Sequence, residues 1–193
     1  MQSRSDRQLE IASIAAQLFR QKGYAAVTMR DLASAMNIKA ASLYNHINSK
    51  QDVLALVVMD LAAAFTRGIS EINALELSVA DKLSRVIKLH IDLTVAYPHA
   101  MSSLNNDWMH LDAVQLKIFI EQRDYYEETL RSIIRIGIAE KTLFKVDEDV
   151  VVFSLLSTLR TLYLWYGKRS RMSQEELYNE LRQALLIGLV RTN

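Results

Sequence analysis

Between Lys39 and Lys50 the chain reads KAASLYNHINSK. Lysines open and close the stretch, and Ser42, Tyr44, Asn45 and His46 between them all donate hydrogen bonds. Ala40 and Ala41 stand beside these donors and are small. Donors on a small-residue surface suit close approach to a rigid partner rich in acceptors. A lysine at a helix start adds its charge to backbone N–H groups that already favour phosphate. The apolar residues follow another spacing. Leu32, Ala33, Met36, Ile38, Leu43 and Ile47 are placed to face inward. Lys39, Ala40, Ser42, Tyr44, Asn45 and His46 then face outward or along the rim.

These positions need elements to hold them. RQLEIASIAAQLFRQKGY puts Leu9, Ile11, Ile14, Ala15, Leu18 and Phe19 at helical spacing, and Gly23 is a stop signal after it. Thr28 and Asp31 form a capping-box-like start for MRDLASAM, a helix of about two turns. Asn37 tolerates a left-handed backbone after that helix. IKAASLYNHI is then a second short helix. Ser49 with Asp52 caps the long apolar helix QDVLALVVMDLAAAFTRGI, and Ser78 with Asp81 caps a helix that stops at Pro98, the only proline. AVQLKIFIEQRDYYEETLRSIIRIGIAEKTLF reads as one long helix with a weak point at Gly137. DEDVVVFSLLSTLRTLYLWYGK is apolar nearly all round, so it should be buried, against another chain if not its own. Its acidic start favours helix over a strand at Val150–Val152. Ser173 with Glu176 caps the last helix. The expected fold class is all-α, with about nine helices.

Composition agrees. One proline and five glycines in 193 residues leave little room for the turns of an all-β fold. The absence of cysteine excludes disulfides and thiolate metal sites, and fits a cytoplasmic location. MQSRSDRQLE does not read as a signal peptide, and no charge-free apolar run has the length of a membrane span, about 18 residues. Net charge is +1, yet it is divided unevenly. Residues 1–50 hold seven Lys/Arg against three Asp/Glu, or +4; residues 51–193 hold sixteen against nineteen, or −3. A basic head on an acidic body suggests a polyanion contacted by one end only. The expected division is therefore a head over 1–50 and a body over 51–193, with no flexible linker between them.

Two short helices joined by a tight turn, the second opened by lysine, make a helix-turn-helix. Ala40 and Ala41 would let the second helix enter a major groove about 12 Å wide. Ser42 suits base edges or phosphate, and Tyr44 and His46 suit backbone oxygens. The span AAQLFRQKGYAAVTMRDLASAMNIKAASLYNHINSKQDVL resembles the DNA-binding domain of TetR-family transcriptional regulators. The resemblance rests on Ala16, Leu18, Phe19, Gly23, Thr28, Ala33, Leu43, Tyr44, His46 and Lys50. Asn37 stands where the family usually has glycine, and Ile47 where it usually has phenylalanine; both keep the physical role. The resemblance implies an all-α homodimeric regulator, usually a repressor. Each subunit would put one recognition helix into double-stranded operator DNA, at half-sites about 34–36 Å apart. A small-molecule effector in the body would change the separation of the two heads. The DNA-contacting set it implies is Thr28, Arg30, Lys39, Ala40, Ala41, Ser42, Tyr44, Asn45, His46 and Lys50.

The body is less specific. Trp165, Tyr166, Ser173 and Glu176 are similar to a TetR subgroup whose members include regulators responsive to acyl-CoA thioesters or related fatty or steroid acids. Effector candidates are the polar and aromatic residues on apolar helices: Trp108, Arg123, Tyr126, Arg160, Tyr163 and Trp165. Arg160 lies inside LSTLRTLYL, where an unpaired charge is costly. It is either an anion anchor or half of an ion pair with an acidic residue. Arg123 has Glu127 four residues on, the spacing of a helix surface pair. An effector with a hydrophobic cationic body, or a helical interaction module without DNA, remains an alternative. His90, His99 and His110 fall on separate elements, so no metal is expected. Without a Cys nucleophile, a Gly-rich phosphate loop or a helical His pair with Glu between, neither a cofactor nor catalysis is expected.

Overall fold

The computed structural model describes residues 5–166, 172–187 and 189–190. Within them the fold is all-α. The order is α1 (Asp6–Lys22), α2 (Met29–Ala35), α3 (Ala40–Tyr44), α4 (Lys50–Ala74), α5 (Val79–Ala96), α6 (Ala100–Asn106), a 3-10 turn (Trp108–His110), α7 (Ala113–Ala139), α8 (Glu148–Trp165) and α9 (Gln174–Leu186). Among the described residues there is no strand, only a lone bridge between Leu143 and Val190.

The local signals act where the sequence placed them. The Thr28 hydroxyl accepts from Asp31 N while the Asp31 carboxylate accepts from Thr28 N, a closed capping box on α2. Ser173 and Glu176 repeat the arrangement on α9. Gly23 takes φ 82 and ends α1, and Asn37 takes φ 54 after α2. Ser5 supplies a further capping box with Gln8, at the start of α1.

Three features depart from the sequence reading. The second short helix is only Ala40–Tyr44; Ile38 and Lys39 precede it and Asn45–Ile47 form a turn. The long α7 ends at Ala139 and does not run on to Phe144. Lys141 adopts φ 61 there, and Leu143 N returns to Gly137 O at 3.0 Å, which closes the helix end. Gly137 does not break α7. A Cβ on it would meet Leu143 Cγ at 2.7 Å and Val79 Cγ1 at 2.8 Å, so glycine is what allows their approach. Helix α6 and the turn after it have no counterpart in the sequence reading.

The chain packs as two units, divided inside α4 and inside α7: Met1–Ala63 with Tyr97–Glu121, and Ala64–Ala96 with Gln122–Asn193. The first has its core in Ile11, Phe19, Val27, Leu32, Leu43, Val53, Leu54 and Val58, joined by Leu111 and Phe119. Helix α6 packs on α1 within it, and Arg20 donates to the Pro98 carbonyl. The second unit buries Ile69, Leu83, Ile87, Ile91, Leu130, Ile133, Ile134 and Leu159. There α5 packs on α8 and α9, and Arg182 reaches Ser84 at 3.0 Å.

Helix α4 is long and apolar enough, by length and composition, to cross a membrane, with a window of mean hydropathy 1.7. Its three acidic residues and two basic ones, Asp52, Asp60, Glu71, Lys50 and Arg67, interrupt the apolar run at both ends and in the middle. Nearly half of that apolar window, 44%, is covered by the protein itself, as in the central helix of a packed core.

Candidate nucleic-acid interface and ligand site

Helices α2 and α3 pack against each other around the Asn37 turn. Asn37 N donates to Ser34 O and Ile38 N to Ala33 O, each at 3.0 Å, so the turn is fixed by its own backbone. Leu43 and Ile47 then point into the core, at 0% and 6% exposure. The intervening positions take the other side: Lys39, Ala41, Ser42, Tyr44, Asn45 and His46 are exposed, and Ala40 is half-buried against the core. Tyr44 is a large side chain left 50% exposed, and burial therefore does not account for its place. The short helix and the residues on either side of it thus leave hydroxyl, amide, imidazole and ammonium donors exposed.

The flanking candidates differ in kind. Arg30 is exposed near the start of α2. Thr28 is also exposed, but its hydroxyl donates to Asp31 at 2.6 Å as part of the α2 cap. That hydroxyl first, then the Thr28 backbone bond, holds the Asp31 carboxyl below the usual carboxylate range. Lys50 is placed unlike Lys39. Its ammonium donates to the carbonyls of Tyr24, Ala25 and Val27 at 3.0, 3.3 and 2.9 Å and lies 4.4 Å from the Tyr24 ring centre. It holds the α1–α2 loop together from the start of α4. Tyr24 is in turn stacked on His110 at 5.0 Å, beside an open cleft of about 490 Å³ that Ser49, Gln51 and Met109 also line.

Of the six effector candidates, five lie in the second unit and Trp108 in the first. Arg123, Tyr126 and Arg160 come together. Glu127 accepts from Arg160 at 2.7 Å and from Arg123 at 3.2 Å. Arg160 is thus half of an ion pair, as one of the two readings had it. Partial burial pulls the Glu127 carboxyl upward, and the bonds from Arg160 and Arg123 outweigh it, leaving a net downward shift. Tyr163 lies in the buried face of α8, whereas Trp165 is 41% exposed at its end. Trp108 belongs to the first unit, stacked on Phe119 at 5.6 Å.

His90, which the sequence places only on an apolar helix face, is a buried polar neighbour of Tyr126. His90 is 2% exposed, and its Nε2 is 2.9 Å from the Tyr126 hydroxyl. Phe65 covers the ring at 4.7 Å. Burial, and then the Arg160 charge, lowers its pKa to about 3, so the imidazole is neutral at physiological pH. The same burial raises the Tyr126 phenol above its ordinary range. A histidine on the apolar face of VIKLHIDL is the available signal, but its partner lies 36 residues on.

A helix-turn-helix with its apolar side buried and its donors exposed, followed by an all-α body, is the architecture of a DNA-binding transcriptional regulator. Residues 11–57 match the bacterial regulatory proteins of the tetR family, and residues 76–189 match the tetracyclin repressor-like C-terminal domain. The chain belongs to the TetR family. It is 25% identical over 189 residues to the HTH-type transcriptional repressor KstR2 of Rhodococcus jostii, covering 96% of this chain and 92% of that one. It superposes on the ketosteroid transcriptional regulator KstR2 of Mycobacterium tuberculosis with a TM-score of 0.90 at 18% identity, over 99% and 98% of the two chains. The structure of AibR in complex with isovaleryl coenzyme A and operator DNA has a TM-score of 0.80 at 20% identity, over 93% and 97%.

Proposed function

We propose that this repressor is a homodimer that holds a two-fold operator through α3 and lets it go when an anionic, lipophilic small molecule binds the body. The observation that carries the DNA half is the alternation in α3 and the turn after it. Leu43 and Ile47 anchor the helix, and Ser42, Tyr44, Asn45 and His46 are left on the outside. In this reading Ala40, Ala41 and Ser42 approach base edges, and Lys39, Arg30, Tyr44, Asn45 and His46 meet the phosphate backbone. Thr28 and Lys50 hold the surface in shape from below: one caps α2, the other closes the loop before it.

Pairing of two copies is supported by α8. Val150, Phe153, Leu164 and Trp165 are exposed along it at 60, 71, 52 and 41%, while its opposite side is buried. Small hydroxyl residues Ser154, Ser157, Thr158 and Thr161 stand between them, Ser154, Thr158 and Thr161 bonding back to carbonyls of their own helix, and the surface is free of charge there. An uncharged apolar helix face of this size suits a second copy of itself.

The anionic, lipophilic effector is supported by the coenzyme A thioester and ketosteroid in the names of two similar proteins. The test is binding to DNA flanking the protein's own gene, titrated with salt, then with acyl-CoA thioesters. Operator binding that weakens steeply with salt and is reversed by a thioester supports the reading. Absence of DNA binding at low salt refutes the DNA half, and retention of DNA with every thioester refutes the effector class.

A further inference from the structure

Two contacts join α5 and α7 in an antiparallel sense within the second unit. Val79 lies against Gly137, and His90 bonds Tyr126. Eleven residues separate the two positions on α5 and eleven separate them on α7. At about 1.5 Å per residue, the two contacts lie roughly 16 Å apart along each helix. One turn beyond the second contact come Thr94, on the same face of α5 as His90, and Gln122, on the same face of α7 as Tyr126.

That next turn is polar and unsatisfied. His90 Nδ1, Thr94 Oγ1 and Gln122 Oε1 are all buried without a hydrogen-bond partner. Thr94 is 0% exposed and His90 2%. Buried polar atoms of a native protein are nearly always paired, and leaving them unpaired costs stability that apolar residues of the same shape would avoid. Three such atoms in successive turns of two facing helices need a partner.

We propose that His90, Thr94, Gln122 and Tyr126 form a recognition site for a neutral oxygen, a hydroxyl or a carbonyl, on an otherwise apolar ligand. This rests on the reading of the body as the effector site and names what the buried end of the effector carries. The chemistry of the four groups sets the class. Gln122 Oε1 accepts a hydrogen bond, the Thr94 hydroxyl donates or accepts one, and His90 Nδ1 does either according to tautomer. A hydroxyl satisfies an acceptor and a donor at once; a carbonyl takes the donors. None of the four carries a charge, since burial keeps His90 neutral. A carboxylate there would face the Gln122 oxygen with no cation among the four to balance it.

The test uses the whole chain and three small probes of one size: cyclohexanol, cyclohexanone and methylcyclohexane. Affinity is measured by calorimetry, and the His90 ring nitrogens are followed by 15N NMR. Cyclohexanol is expected to bind about tenfold more tightly than methylcyclohexane, the worth of one satisfied hydrogen bond. It should also move the His90 Nδ1 resonance, which the hydrocarbon should not. Thr94→Val is expected to fold with undiminished thermal stability and to lose the preference for the alcohol. A merely structural threonine would instead lower the melting temperature on substitution and leave the preference intact, which overturns the proposal. Equal affinity for alcohol and hydrocarbon overturns it too, as does a long-lived water on His90 that stays when the alcohol is added. Failure of acyl-CoA thioesters to release DNA, with cyclohexanol still bound at His90, removes the effector class proposed above and leaves this site standing. Release by thioesters without any response of His90 to the alcohols removes this site alone.

Discussion

The Lys50 ammonium sits 4.4 Å from the centre of the Tyr24 ring and donates to the Tyr24 carbonyl at 3.0 Å. With its bonds to the Ala25 and Val27 carbonyls, it ties the first residue of α4 to the loop that delivers α2. The Tyr24 carbonyl also takes Val27 N at 3.3 Å, and one cation bonds all three carbonyls of the loop.

Lys50→Met should therefore destabilise the protein by about 2 kcal/mol, the scale of charged hydrogen bonds and a cation–π contact. Urea denaturation measures this. The DNA affinity that survives should keep the wild-type dependence on salt, because the charge removed was on the loop. Lys39→Ala should flatten the log–log salt slope by about 0.9 with little loss of stability, as expected for one phosphate contact. An equal flattening in the Lys50 variant would place that ammonium on DNA instead.

Exposed and buried members of the same short helix should part company. Ser42→Ala is expected to change which base is preferred at one operator position, with a loss of about 1–3 kcal/mol at that position only. Tyr44→Phe should weaken all sequences alike. Leu43→Ala should cost about 2–5 kcal/mol of folding stability, since Leu43 is wholly buried. Selection of operator sequences for the three variants, beside their melting curves, separates base contact, backbone contact and core. Unaltered preference in the Ser42 variant removes it from the base-reading set.

His90 adds a pH dependence of known sign. Its pKa is about 3 in the folded chain, below the ordinary 6.5. Between those values the unfolded chain binds the extra proton, so stability rises with pH, is complete above about 6.5 and is lost as pH falls. At pH 5 the loss from this residue is about 2 kcal/mol by linkage, an upper figure. His90→Gln keeps a hydrogen-bonding group toward Tyr126 without the titration. Denaturation at pH 7 and pH 5 should show a smaller acid loss in the variant; an equal loss in both would assign the acid sensitivity to carboxylates.

Phe153, 71% exposed in the middle of α8, is the sharpest probe of pairing. Phe153→Glu places a charge on the apolar face and should give monomers by sedimentation equilibrium, with a melting temperature that no longer depends on protein concentration. Operator affinity should drop with it, because one head alone meets only one half-site. A dimer that persists unchanged would move the pairing surface elsewhere.

The parts of this protein legible in its sequence are those decided within a few residues. A capping box closes between Thr28 and Asp31, Gly23 and Asn37 take positive φ, and Leu43 and Ile47 turn inward while Ser42 and Tyr44 turn out. Each depends on the residue's own backbone preference or on the period of the helix it sits in, and neither changes much with what packs nearby. The Arg123–Glu127 pair, one turn apart, belongs with them.

What the tertiary structure decided involves partners far along the chain. Helix α6 is short and mixed in composition, and it is held by packing on α1. Helix α7 stops before the sequence suggested because Leu143 folds back on Gly137, beside Val79. Lys50 looks like any lysine at a helix start until its ammonium finds three carbonyls 23 to 26 residues earlier. His90 looks like a core histidine until Tyr126 and Phe65 are seen against it and its Nδ1 is found without a partner. A sequence states what each side chain is able to donate or accept. Only the fold, by choosing which groups are buried together and which are left without a partner, decides what it does with that ability.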